Sequence, residues 1–188
     1  EESLGLLRAL FSGEQVDKAG EFYRVTGFAG SPRPVQRPHP PLMVGGGGRR
    51  ILELAGREAD IVSFNFNNRS GVIGPDGVGS STADATAGKV AWVRGVAGAR
   101  DDDGPEFEIG AYFTVVTDAG GPVAEQMGAA LGLSADEMRA HPHALIGSVD
   151  TLCETLLERR ERYGISYVTV PGDAAEAFAP VVARLAGR

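Results

Sequence analysis

A chain of 188 residues, 43% of them hydrophobic and with a formal net charge of −7, is long enough to bury a core and reads as a single domain over residues 1–188. The acidic balance excludes general affinity for nucleic acid or an anionic membrane, since both require a basic face. Apolar runs are short, Glu1 and Glu2 begin neither a signal peptide nor an anchor, and a cytoplasmic protein is expected whose true start lies upstream of Glu1 or has been processed away.

Leu4, Leu7, Leu10 and Phe11 recur at helical spacing before Gly13, which predicts a short helix over Ser3 to Phe11. Glu21 to Thr26 is aromatic and β-branched, and Ser31 to Pro41 holds five prolines. Residues 1–40 therefore read as a helix and an extended connector. Pro41 to Val44 is a compact strand run that ends in Gly45, Gly46, Gly47 and Gly48, and Arg49 to Ala59 follows as a helix. Asp60 to Phe64 is the next strand, followed by Asn65, Asn67, Asn68 and Arg69. Residues 68–88 have little to bury and are expected to form a mobile loop. Ser81 with Asp84 is placed as the cap of a helix carrying Val90, Trp92, Val93 and Val96, in which Trp92 packs.

Beyond the acidic break at Asp101 to Gly104, Phe107 to Thr117 is the longest strand candidate, and Pro122 to Leu131 a helix. Ser134 with Glu137 is a capping box closed by Pro142. Ser148 opens an amphipathic helix to Tyr163 that Gly164 ends, and it carries Cys153 as a buried, inert thiol. Ser166 to Val170 is a strand, and Ala174 to Ala186 a last helix. Strands alternating with helices at this spacing imply parallel pairing, because parallel neighbours need a crossover. Residues 41–188 supply four βα units, about half of a (β/α)8 barrel, although periodicity alone also allows a doubly wound sheet.

The segment Gly20-Glu21-Phe22-Tyr23-Arg24-Val25, the proline connector Pro34 to Pro41 with Leu42-Met43-Val44 and the glycine run, the stretch Ala55 to Asp60, and Ile146-Gly147-Ser148-Val149-Asp150 to Val168 together resemble the luciferase-like oxidoreductases, and most closely their branch that uses coenzyme F420. The resemblance implies an α/β fold, a (β/α)8 TIM barrel of bacterial-luciferase type, of which this chain is the last four βα units. It implies hydride transfer between F420 and an unidentified organic substrate. An FMN-dependent monooxygenase using molecular oxygen is the second reading, and a non-catalytic flavin-binding or incomplete-barrel protein the third. The N-terminal half of the same barrel is the implied partner, with assembly as a homo-oligomer. Catalytic residues would lie in that absent half, so none is assigned and the fragment alone is expected to be inactive.

Barrel enzymes place their sites at the C-terminal ends of the strands, where backbone amides at a helix start hold phosphate. Val44, Gly45, Gly46, Gly47, Gly48, Arg49 and Asn65 are the cofactor-binding candidates on that ground, with Asn67, Asn68 and Arg69 for the substrate or the cofactor tail. The glycines equally serve a tight turn. Arg49 and Arg50 at a helix start oppose its dipole unless an anion is near, and residues 33–57 hold five arginines against one acidic residue. Pairing with Glu53 and Glu58 is the alternative account of these arginines. His141 and His143 flank Pro142 without further ligand candidates, and no metal is expected. In the family's sugar-phosphate dehydrogenases, basic residues near the last strand hold the substrate phosphate. Pro171 to Phe178 has Asp173 and Glu176 and no cation, which argues against a phosphorylated sugar.

Overall fold

A computed structural model describes residues 1–67, 74–100 and 103–187. The chain divides into two compact units, Glu1–Leu42 and Met43–Arg188.

In the first unit, helix α1 (Glu2–Ser12) ends at Gly13, whose φ of 75° is a left-handed cap suited to glycine. Strands β1 (Gln15–Ala19) and β2 (Arg24–Ala29) then form an antiparallel hairpin with a bulge between Val16 and Lys18. The hairpin departs from the expected plain connector. Its first strand alternates polar and apolar residues too briefly to be read from periodicity, and the Glu2 carboxylate fastens its turn by accepting from the Phe22 and Tyr23 amides at 3.0 and 2.8 Å. Those amides hold the Glu2 carboxyl below its usual range.

The second unit is built on a four-stranded parallel sheet in the order β3 (Met43–Gly46), β4 (Ile61–Phe64), β5 (Glu106–Gly110), β8 (Ile165–Thr169). Val62, Phe64, Phe107 and Ile109 point to one face and pack with Leu52 and Ala55 of α2 (Arg49–Glu58) and with Val90 and Val93 of α4 (Ala83–Ala97). Val168 of β8 joins this core to a second one, formed with Leu152 of α7 (Val149–Tyr163) and Phe178 and Val181 of α8 (Ala175–Leu185). Helices thus cover one face, which selects a barrel arc over a doubly wound sheet. The register leaves Gly45, Ser63, Glu108 and Tyr167 side by side on the opposite, inner face.

The strand expected over 107–117 is two. Ala111 donates its amide to Thr169 of β8 at 2.7 Å, and Phe113 donates to His143 at 3.0 Å, so one edge of the chain passes from one neighbour to another. The Thr114 hydroxyl takes the Ala111 carbonyl at 2.6 Å and marks the break. Strand β6 (Phe113–Val116) accordingly pairs with β7 (Ala144–Gly147), a fully buried element unforeseen in a four-residue apolar run. Between them, α5 (Gly120–Leu131) and α6 (Ala135–Ala140) pack on Ala144 and Ile146, and α6 opens with the expected Ser134–Glu137 capping box.

Two further expectations change. Residues 75–79 form helix α3 (Pro75–Gly79) and residues 83–88 belong to α4, so the expected loop 68–88 is helical over much of its length, while 68–73 lie outside the described residues. Val78 is fully buried there, an apolar anchor overlooked among glycines and serines. The cap of α4 is Thr82, which accepts from the Ala85 amide at 3.3 Å, because Ser81 is turned into the interior.

Candidate functional site

The C-terminal ends of β3, β4 and β5 converge around Asn65, which follows β4 directly. Its amide nitrogen donates to Ser63 Oγ at 3.1 Å, its side-chain oxygen accepts from the Tyr112 hydroxyl, and its backbone N–H donates to the Gly46 carbonyl at 3.0 Å. The Asn65 carbonyl is held from behind by Lys89 Nζ at 2.7 Å and Ser81 Oγ at 3.2 Å, and Lys89 also donates to Ser81 Oγ at 2.6 Å. Asn65 is fixed at both ends.

Lys89 is 3% exposed, and no carboxylate among the described residues pairs with it. Burial lowers its pKa to about 8, so the ammonium is held mainly by neutral oxygens. Nothing in the local sequence marks Lys89. Its part in the site rests on a contact 24 residues away in the chain.

Tyr112 lies back over Gly110. A Cβ at Gly110 would stand 3.0 Å from the Tyr112 ring, so a bare backbone there seats the phenol. The ring stacks on His143 with centroids 5.3 Å apart and meets Phe66 at 5.5 Å. Burial, then the nearby Glu108 charge, raises the Tyr112 pKa, so the hydroxyl stays protonated through the neutral range. His143 is itself buried, bonds the Gly110 carbonyl through Nδ1 at 2.7 Å and leaves Nε2 without a partner. Desolvation lowers its pKa to about 3 and it stays neutral. His141 accepts the His143 amide on Nδ1 at 3.2 Å, which puts its proton on Nε2 facing the Val78 carbonyl. The two histidines are therefore framework for Tyr112. Among the described residues, no group of three or more His, Cys, Asp or Glu is arranged to hold a metal.

The glycine run separates into distinct roles. A Cβ on Gly46 would meet the Ile51 side chain, and one on Gly47 would run into the Phe66–Asn67 peptide. At Gly45 it would come within 2.9 Å of the Asn65 amide nitrogen. These three allow close packing. Gly48 has nothing within 4 Å and is the N-cap of α2, which lacks a side-chain cap and any acidic residue in its first turn. Val44 turns its side chain into the helix-side core. Arg49 pairs with Glu53 at 2.7 Å and lies 6.0 Å from the Trp92 ring, which gives it a partner within its own helix without any anionic ligand. Asn67 is exposed and its amide donates to Ser80 Oγ at 2.7 Å, whereas Asn68 and Arg69 lie outside the described residues.

Sequence reasoning missed the inner face below this cluster. Glu108 is 3% exposed and accepts from Thr169 Oγ1 at 2.7 Å. The signal was an acidic residue alternating with Phe107 and Ile109 in an otherwise apolar strand.

Comparison with known proteins agrees with this architecture. The family model described as luciferase-like monooxygenase matches residues 1–73. An FMNH2-dependent dimethylsulfone monooxygenase of Pseudomonas putida is 32% identical over 72 residues, 38% of this chain and 20% of that protein. The F420-dependent tetrahydromethanopterin reductase of Methanopyrus kandleri superposes with a TM-score of 0.70 at 17% identity, over 98% of this chain and 60% of that one. A monooxygenase from Streptomyces bottropensis gives 0.67 at 19% identity, over 98% and 59%. The chain thus spans a fifth of the curated relative and about three fifths of these two structures.

Proposed function

From a chain with the luciferase-like superfamily fold, whose first 73 residues match that family, we propose an oxidoreductase that moves hydride between coenzyme F420 and an organic substrate. The observation that carries the cofactor site is the start of α2. Its first-turn amides have no side-chain cap, no acidic residue stands among them, and Gly48 opens onto free space at the C-terminal end of β3. These residues fit an anionic cofactor tail, because amides and helix dipole both favour negative charge there. Bound F420 would supply the hydride-carrying ring. On this chain, Gly48 and the α2 amides would hold the tail, Asn65 and the Tyr112 hydroxyl would offer fixed polar contacts, and Phe66 and Tyr112 would help exclude water.

Reduced FMN is the second reading, favoured by the match to the FMNH2-dependent enzyme. The proposed whole protein includes the other half of the barrel and assembles as a homo-oligomer; the 188 residues alone are expected to be inactive. No helix among the described residues is long and apolar enough to cross a membrane. The test is titration of the full-length protein with oxidised F420. Saturable quenching of F420 fluorescence, weakening as salt rises, supports the reading. Co-purifying FMN with NADH-linked oxygen consumption would replace it with the monooxygenase, and binding of neither would leave a non-catalytic barrel protein.

A further inference from the structure

The inner face of the sheet has a chemical bias that the cofactor site does not explain. Strands β3, β4, β5 and β8 carry no lysine, arginine or histidine at all, whereas β5 carries Glu106 and Glu108. The buried Lys89 is spent on the Asn65 carbonyl and Ser81. Glu108 stands in register between Ser63 and Tyr167, at the middle of the inner row. Thr169 donates to one of its oxygens, and the other has no donor among the described residues. Glu108 is 3% exposed, yet its second oxygen is not among the fully buried atoms that lack a partner, so that oxygen reaches the open inner face, where an incoming donor can meet it. The hydroxyl groups of Thr169 and Tyr112 are engaged with Glu108 and Asn65 respectively, so neither is free to fill that place.

We propose that Glu108 is the substrate-binding carboxylate of this half of the barrel, and that it receives a hydroxyl or protonated amine. The enzyme then takes neutral or cationic organic substrates and rejects anionic ones. An incoming carboxylate, sulfonate or phosphate would face Glu108 at close range and find no cation on β3, β4, β5 or β8 to offset it. An alcohol gains one charge-assisted hydrogen bond, and an ammonium gains the bond with charge neutralisation. This assignment rests on the oxidoreductase reading only in calling the ligand a substrate.

The test uses full-length protein loaded with its cofactor, and cofactor affinity is measured first for wild type, Glu108→Gln and Thr169→Val. Failure there counts against the redox reading alone. Calorimetric titration with cyclohexanol, cyclohexylammonium and cyclohexanecarboxylate then compares charge states on one carbon skeleton. Wild type should bind the alcohol and the ammonium, with the carboxylate at least tenfold weaker. Glu108→Gln should bring ammonium and carboxylate within about threefold of each other, while Thr169→Val, which frees the first oxygen, should widen the gap. Equal binding of carboxylate by wild type, an ammonium-to-carboxylate ratio unchanged in Glu108→Gln, or no binding of any of the three overturns the assignment.

Discussion

Gly47 and Gly48 are adjacent and chemically identical, yet their surroundings set opposite expectations. Gly47→Ala drives a methyl group into the Phe66–Asn67 backbone, which has no rotamer with which to retreat. Overpacking of this kind costs about 1–3 kcal/mol, so a loss of several degrees in the thermal midpoint is expected. Gly48 has an extended backbone, φ −98° and ψ 154°, and open space around it. Gly48→Val should therefore leave the far-UV circular dichroism and melting temperature near those of the parent while weakening F420 binding by crowding the α2 amides. Retention of full affinity would remove this turn from the cofactor site.

At the level of elements, the loop before β7 is a buried polar assembly that titrates. Arg159 of α7, 6% exposed, donates to the carbonyls of Pro142 at 2.9 Å and His141 at 3.0 Å, and burial, with smaller contributions from the Arg159 and Lys89 charges, keeps both histidines neutral. Since the folded pKa of His143 is about 3 against 6.5 unfolded, the unfolded chain takes up the proton first as pH falls. Stability should be at its full value above about pH 6.5 and decline below it. Between pH 6.5 and 5 the loss from His143 alone is on the order of 2 kcal/mol, measurable by urea unfolding, and His143→Phe should flatten that part of the profile.

These same elements show where the sequence was legible. Strands β3, β4 and β8 and helices α2, α4 and α7 were readable because each has an apolar face at the right period, and α7 has its Ser148 cap and Gly164 stop as well. Strand β7 has four residues and no polar alternation, and the break at Ala111 exists only because Thr169 and His143 compete for one edge. Of the candidate site, Asn65 was legible as a candidate from its position after a strand. Tyr112, Lys89 and Glu108 were missed because their roles come from partners 24 to 61 residues away.

The whole second unit leaves the outer edges of β3 and β8 without strand partners among its described residues. Beside β8, Leu156, Leu157, Ile165, Val168, Phe178 and Val182 line an apolar cavity of about 490 Å³, with Leu157 and Val182 exposed. Open parallel edges next to apolar surface favour association. The 188-residue polypeptide alone is accordingly expected to elute as a broad, concentration-dependent mixture in size-exclusion chromatography with light scattering; a sharp monomer would contradict this.

The transfer of one chain edge from β8 to β7 has a consequence for how such a molecule can change. Because β5 is tied to the barrel wall and β6 to the β7 collar, the two are hinged at Ala111 and Tyr112 and answer to different neighbours. Lengthening or trimming the α5–α6 excursion would move the collar and, through His143, the phenol of Tyr112, while the wall bearing Glu108 kept its register. The surroundings of Tyr112 and the wall bearing Glu108 can therefore drift independently, each by its own mutations.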